Sequence, residues 1–252
     1  MRMRLIVAAT AALLAAGSSL AADKVLRVGT EPTFPPFEFM DKGEQAVGFD
    51  IELVRAIGEV QGVQVEIMKL PFDGLIPSLF TGQIDAAASG MTITAQRAEK
   101  VDFSAPYYDS GLTAMILKDK IDKFHKIADL SKSVLCAQIG TTGSKHAQEI
   151  SGNVINFNTA TEAVMELKAG RCDAIISDKP VNEYFMATAG NGMFVEINEV
   201  MSAEQYGIAV RKGNAETLKI INEGLAKLRE NGTYDKLYVK WFGVKLDKSG
   251  GR

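Results

Sequence analysis

Two rhythms of apolar and polar residues alternate along this chain. KVLRVGT (24–30) and VQVEIMKL (63–70) have the short apolar runs of strands, and FDIELVRAIGEVQG (49–62) between them repeats apolar residues at helical spacing. Asp50 is placed to cap that helix and Gly62 to stop it. EPTFPPFEF (31–39) reads as an irregular aromatic loop, because its prolines exclude a helix. Helix, strand and helix follow in DGLIPSLFTG, IDAAAS and TAQRAEKV, so residues 24–101 read as one α/β block. After YYDSG (107–111) a second cycle begins: strand VLCAQIG, helix SKHAQEI, strand VINF, helix TEAVMELKAG, strand AIIS and helix NEYFMATAG. A strand in QYGIAVRKG and two helices, AETLKIINEGLAKLRE and TYDKLYVKWFG, close the pattern.

The two cycles share a phrase. TGQIDAAASG (81–90) returns in outline as AGRCDAIISD (169–178), with Gly, Asp-Ala and Ser in matching places and only Gly90 against Asp178 at the end. Each copy reads as a helix ended by Gly and followed by a buried strand, the second half of a βαβ unit. Parallel sheets built this way bind ligands beyond the carboxyl ends of their strands. The repeat therefore predicts two α/β lobes, one presenting Ser89-Gly90 and the other Ser177-Asp178.

Composition narrows the setting. Arg2 and Arg4 precede an apolar run from Leu5 to Gly17 and then small residues, the layout of a cleaved secretory signal over residues 1–22, too short in its apolar part for a membrane span. Of 28 Lys+Arg, the two arginines in 1–22 would be lost, leaving 26 against 31 Asp+Glu. A net charge of 26 − 31 = −5 gives no support for nucleic-acid binding. Cys136 and Cys172 are expected as buried free thiols, with a disulfide left open by the oxidising compartment that export implies. Neither they nor His125 and His146 have the spacing of a metal site, and none is expected.

FPPFEF, GFDIEL, LPFDGLIPSL, SGMTITAQRAEKVDFSAPYY, IGTTGS, ISDKP and LRENGTYDKLYVKWFG stand in an order and spacing that resemble the periplasmic polar-amino-acid-binding proteins of ABC importers, over essentially all of 23–243. The resemblance implies an α/β, two-lobed periplasmic-binding fold of type II: lobe one from 23–107 plus 207–252, lobe two from 112–201, with crossings at 108–111 and 202–206 as the hinge. It implies a monomeric, periplasmic, non-enzymatic protein without cofactor, whose partners are a free L-amino acid and a membrane permease.

A zwitterion must exchange water for protein partners at both charged ends. By the resemblance, Arg97, Thr92 and the Gly90 backbone hold the α-carboxylate from lobe one and Thr142 holds it from lobe two. The chemistry agrees, since an Arg fork and a helix N-terminus suit a carboxylate. Asp178, helped by Ser89, matches the ammonium site, although an N-cap role would also suit it. Phe34 and Phe72 match aromatic walls around the ligand side chain, while Phe37, Phe39 and Trp241 are assigned to the core. Glu31 and Gln138 take the positions that read the ligand's far end. Glutamine binders of the family also use an acid at the first of these, with Lys where this chain has Gln138, a departure that moves weight from glutamine to arginine or another basic amino acid, so that arginine, lysine, ornithine, histidine and glutamine are the candidates. A catalyst of the same fold, like the cyclohexadienyl dehydratases, is the alternative; Glu31 is the only spare acid the sequence offers it, and neither His is placed at the cleft.

Overall fold

A computed structural model of the protein describes residues 25–243, so the expected signal segment lies outside the described residues. The two cycles of the sequence form two sheets. In the first, the strands run in the order Gln64–Lys69, Val25–Thr30, Ala86–Ala87, Ala209–Arg211 and Val101–Phe103; the first three are mutually parallel and Ala209–Arg211 lies antiparallel to both neighbours. In the second, the order is Val154–Phe157, Leu135–Gln138, Ala174–Asp178, Tyr108–Leu117 and Phe194–Glu196, with Ser202–Tyr206 also on Tyr108–Leu117. These sheets, with their helices, are the two lobes of the fold.

The chain passes twice between the sheets, from Val101–Phe103 into Tyr108–Leu117 and from Ser202–Tyr206 into Ala209–Arg211. The crossings lie side by side, with Tyr206 opposite Tyr108 and the Tyr107 N–H donating to the Tyr206 carbonyl. An aromatic cluster braces them. The Phe37 ring is 4.8 Å from Tyr108 and 5.1 Å from Tyr206, and Phe242 of the last helix, Thr233–Phe242, is 4.8 Å from Tyr108. The preceding helix, Ala215–Glu230, packs Gly224 so closely on Ile57 of Phe49–Gln61 that a Cβ there would sit 2.6 Å from it.

The repeated phrase has a structural meaning. Gly82 and Gly170 end the helices Leu75–Thr81 and Ala160–Lys168, each just past the last helical turn, at φ 72° and 71°. Asp85 and Asp173 then do the same work in each lobe: their carboxylates accept the backbone N–H of Arg27, on the neighbouring parallel strand, and of Val134, the residue just before its counterpart, at 2.9 and 3.0 Å.

Several expectations are corrected. Asp50 lies inside its helix, not at the cap, and its carboxylate accepts from Gly90 N at 2.9 Å and Tyr107 Oη at 2.5 Å. The Pro-rich loop holds a small sheet of Thr33–Phe34, Glu38–Met40 and Ala46–Val47. The strands Val101–Phe103 and Phe194–Glu196, and most of Tyr108–Leu117, are elements the apolar pattern does not predict. Phe37 is fully buried as expected, whereas Phe39 is half-exposed against Trp241 and Tyr184. Cys136 and Cys172 form a disulfide, not the favoured pair of free thiols. Tertiary pairing decides this, since Cys172 lies two residues before a strand running parallel to the one that carries Cys136.

Candidate functional site

Four parallel strands, two from each lobe, end at one place. Val25–Thr30 delivers Glu31, Ala86–Ala87 delivers Ser89 and Gly90, Leu135–Gln138 ends on Gln138, and Ala174–Asp178 ends on Asp178. The cleft between them is lined by all ten residues that the sequence singled out, Glu31, Phe34, Phe72, Ser89, Gly90, Thr92, Arg97, Gln138, Thr142 and Asp178, together with Glu38 and Thr141. Thr92, Arg97, Thr141 and Thr142 also line an outer cleft of about 630 Å³ between residues 92–97, 140–146 and 202–205.

At one end, Arg97 lies beside the Phe72 ring, its guanidinium carbon 5.4 Å from the centroid, and donates to the carbonyls of Thr92 at 2.7 Å and Gly140 at 3.1 Å. Burial works against its charge, and Glu204 and Asp178 offset that. Among the described residues no carboxylate lies within ion-pair distance of it. The helix that carries Arg97, Ala95–Ala98, is only four residues long, so it adds little dipole to this end. The hydroxyls of Thr92 and Thr142 both donate to Glu204, at 2.6 and 3.0 Å.

Asp178 occupies the N-cap position of Lys179–Thr188 but makes no capping bond. Its Oδ1 instead accepts from Tyr206 Oη at 2.5 Å and Ser110 Oγ at 3.1 Å, both on the crossing strands. Burial, with the charge of Glu204 nearby, pushes its carboxyl up to about 7 against those hydrogen bonds and Arg97. Ser89, expected to help here, uses its hydroxyl on Glu38 Oε1 at 2.9 Å while accepting the Glu31 N–H at 3.0 Å. Gly90 has φ 51°, and a Cβ on it would meet the Phe34 ring at 2.9 Å, so this strand end excludes a side chain for two reasons.

At the far end Glu31 accepts from Gln138 Nε2 at 2.9 Å and Thr33 Oγ1 at 2.7 Å, the first of these across the lobes. Burial pushes Glu31 up, partly countered by these two bonds. Phe34 is 6% exposed and belongs to the hydrophobic core as well as to the cleft, so the packing and wall roles coincide.

Sequence reasoning missed three acids. Glu38 is wholly buried beneath the cleft and raised well above the usual carboxylate range by burial and by Asp50 beside it. Asp50, itself wholly buried, is pushed up to about 6. Glu204 alternates with Ser202 and Tyr206 on one face of its strand; Tyr206 is a buried aromatic, so period-2 spacing was the available signal. His146, placed away from the cleft by the sequence, lines its outer part because Thr142–Ile150 runs along that wall.

Residues 26–244 match the model of the bacterial extracellular solute-binding proteins, family 3. A probable histidine-binding protein of Neisseria gonorrhoeae is 36% identical over 236 residues, 91% of this chain and 85% of that protein. The ABC transporter arginine-binding protein 1 of Escherichia coli K12 is 34% identical over 95% of this chain and 98% of its own. Among solved structures, an ancestral arginine-binding protein bound to arginine superposes with a TM-score of 0.84 at 43% identity, covering 87% of this chain and 98% of that one. With two lobes joined by paired crossing strands and a cleft at the strand ends between them, the chain belongs to the bacterial extracellular solute-binding proteins of family 3.

Proposed function

We propose that this protein captures a basic or polar L-amino acid in the inter-lobe cleft and delivers it, as a periplasmic monomer, to the permease of an ABC importer. The observation that carries the reading is a pair of opposite charges left for a ligand to complete: among the described residues the Arg97 guanidinium donates only to carbonyls and rests beside the Phe72 ring, and neither Asp178 nor Glu31 has a cation within ion-pair distance. A zwitterion with its carboxylate at Arg97 and its ammonium at Asp178 satisfies both, and Glu31 at the far end favours a side chain that donates hydrogen bonds. Arginine, lysine, ornithine, histidine and glutamine remain in this class. The names of the relatives give weight to arginine and histidine, and a flat guanidinium or imidazole suits the walls Phe34 and Phe72.

Binding requires the lobes, proposed as 23–107 plus 207–252 and 112–201, to part and close about 108–111 and 202–206. The space the cleft encloses, about 10 Å³, is on the order of one water molecule. An amino acid enters only if contacts such as Gln138 to Glu31 and Arg97 to Gly140 open first. Closure on the ligand then selects the state that docks on the permease.

A thermal-shift screen over the common amino acids and ornithine tests the proposal. A basic or amide amino acid should raise the melting temperature, because the unfolded chain has no site; no shift with any of them would refute it. The buried acids Glu38 and Glu204 are the observation that keeps catalysis as a second reading. Turnover of a ligand at about 1 s⁻¹ or more, within the ordinary enzyme range, would favour that reading.

A further inference from the structure

Glu204 stands where the two lobes meet, on the crossing strand Ser202–Tyr206, and is 7% exposed. Its Oε2 accepts from Thr92 Oγ1 of the first lobe at 2.6 Å and from Thr142 Oγ1 of the second at 3.0 Å, while its Oε1 accepts from Ser202 at 3.3 Å. A threonine hydroxyl has one proton to give. While both protons point at Glu204, neither threonine can donate to the carboxylate of a ligand. The donors that would complete the anion site around Arg97 are thus held by a carboxylate of the protein itself, and charge-assisted bonds of this kind are about twice as strong as neutral ones.

We infer that Glu204 is a specificity-determining residue, an internal carboxylate that competes with the ligand's own carboxylate for Thr92 and Thr142. The inference rests on the amino-acid reading given above. Every amino acid must draw those two hydroxyl protons away from Glu204 and set a second negative charge beside it, so its carboxylate end gains less than the site geometry alone would give. A ligand with the same side chain and ammonium but no carboxylate escapes this cost. Recognition is thereby weighted toward the cationic parts of the ligand, which Asp178 and Glu31 face.

The test is titration calorimetry of arginine and of agmatine, its decarboxylated analogue, against the wild-type protein, Glu204→Gln and Glu204→Ala, with melting curves to show that each variant is folded. Arginine should bind about tenfold more tightly to Glu204→Gln, which keeps the size of the side chain and removes its charge, whereas agmatine should gain nothing. Loss of a negative charge acting only at long range would weaken both cations, so the tightening of arginine separates the two explanations. Unchanged or weaker arginine binding in both variants, with the wild type binding arginine, overturns the role of Glu204 alone. If the wild type binds no amino acid, the role of Glu204 and the reading on which it rests fall together.

Discussion

At the scale of single residues, Arg97 and Glu31 are asked to do different work on one ligand. Arg97→Ala leaves a ligand carboxylate without its cation and should cost about 2–5 kcal/mol for every amino acid bound, as truncating one member of a hydrogen-bonded charge pair does. Glu31→Gln keeps size and removes charge, so it should weaken arginine or lysine by roughly 1–3 kcal/mol more than glutamine, the scale of a charged hydrogen bond. Calorimetry with one cationic and one neutral ligand reads both, and equal losses for the two ligands in Glu31→Gln would remove its specificity role. Asp50 and Asp178 add a pH dependence. Both are raised, to about 6 and about 7, so the folded state holds their protons more tightly than the unfolded chain does. Their contribution to stability is complete below the unfolded value of about 3.9 and is lost as pH rises through 6 and 7. The ligand-free protein should therefore melt higher at pH 5.5 than at pH 8. A ligand ammonium favours the ionised form of Asp178, so amino-acid affinity should move the opposite way, falling by up to about tenfold per pH unit below 7.

At the scale of elements, the repeated phrase separates structure from chemistry. Gly82 with Asp85 and Gly170 with Asp173 stop a helix and tie the start of the next strand to its neighbour by the same backbone bond in both lobes, to which Asp85 adds an ion pair with the Arg27 guanidinium. The proposed ligand chemistry falls at the end of the phrase, where Ser89 and Gly90 in one lobe and Asp178 in the other line the cleft. In the second lobe the disulfide adds a covalent tie between Cys136 and Cys172, 36 residues apart. Closing a loop of that length restricts the unfolded chain, and replacing both cysteines by alanine should lower stability by roughly 3–4 kcal/mol. Chemical denaturation of the oxidised wild type and the double variant measures it. Ligand affinity should change little, because neither cysteine lines the cleft.

At the scale of the whole molecule, two crossings lie side by side within an aromatic cluster, and the proposed closure would turn about them. The last helix is fastened to these crossings: Tyr234 Oη donates to the Tyr107 carbonyl, and Phe242 packs on Tyr108. Small-angle scattering of ligand-free protein and of protein saturated with its amino acid should give different radii of gyration, the larger without ligand. Identical profiles would count against closure as the mechanism.

The alternation of short apolar runs with helical spacing, the glycines that end helices and the Gly90/Asp178 difference were legible in the chain, because each is a local pattern with a local physical cause. From them follow the two α/β lobes and the strand ends as the place for a ligand; the ten residues that line the cleft were singled out by the resemblance. The resemblance supplied roles for those residues that spacing alone could not. What only the tertiary structure decided is how side chains distant in sequence divide their hydrogen bonds. Asp50 looks like a helix cap until Gly90 and Tyr107 are brought to it, and Asp178 looks like one until Tyr206 and Ser110 are. Thr92, Thr142 and Glu204 lie on three separate segments, and no period along the chain could show that both hydroxyls donate to one carboxylate. A polar side chain has few protons and lone pairs to give, and which partner receives them is settled only when the lobes bring the candidates within about 3 Å.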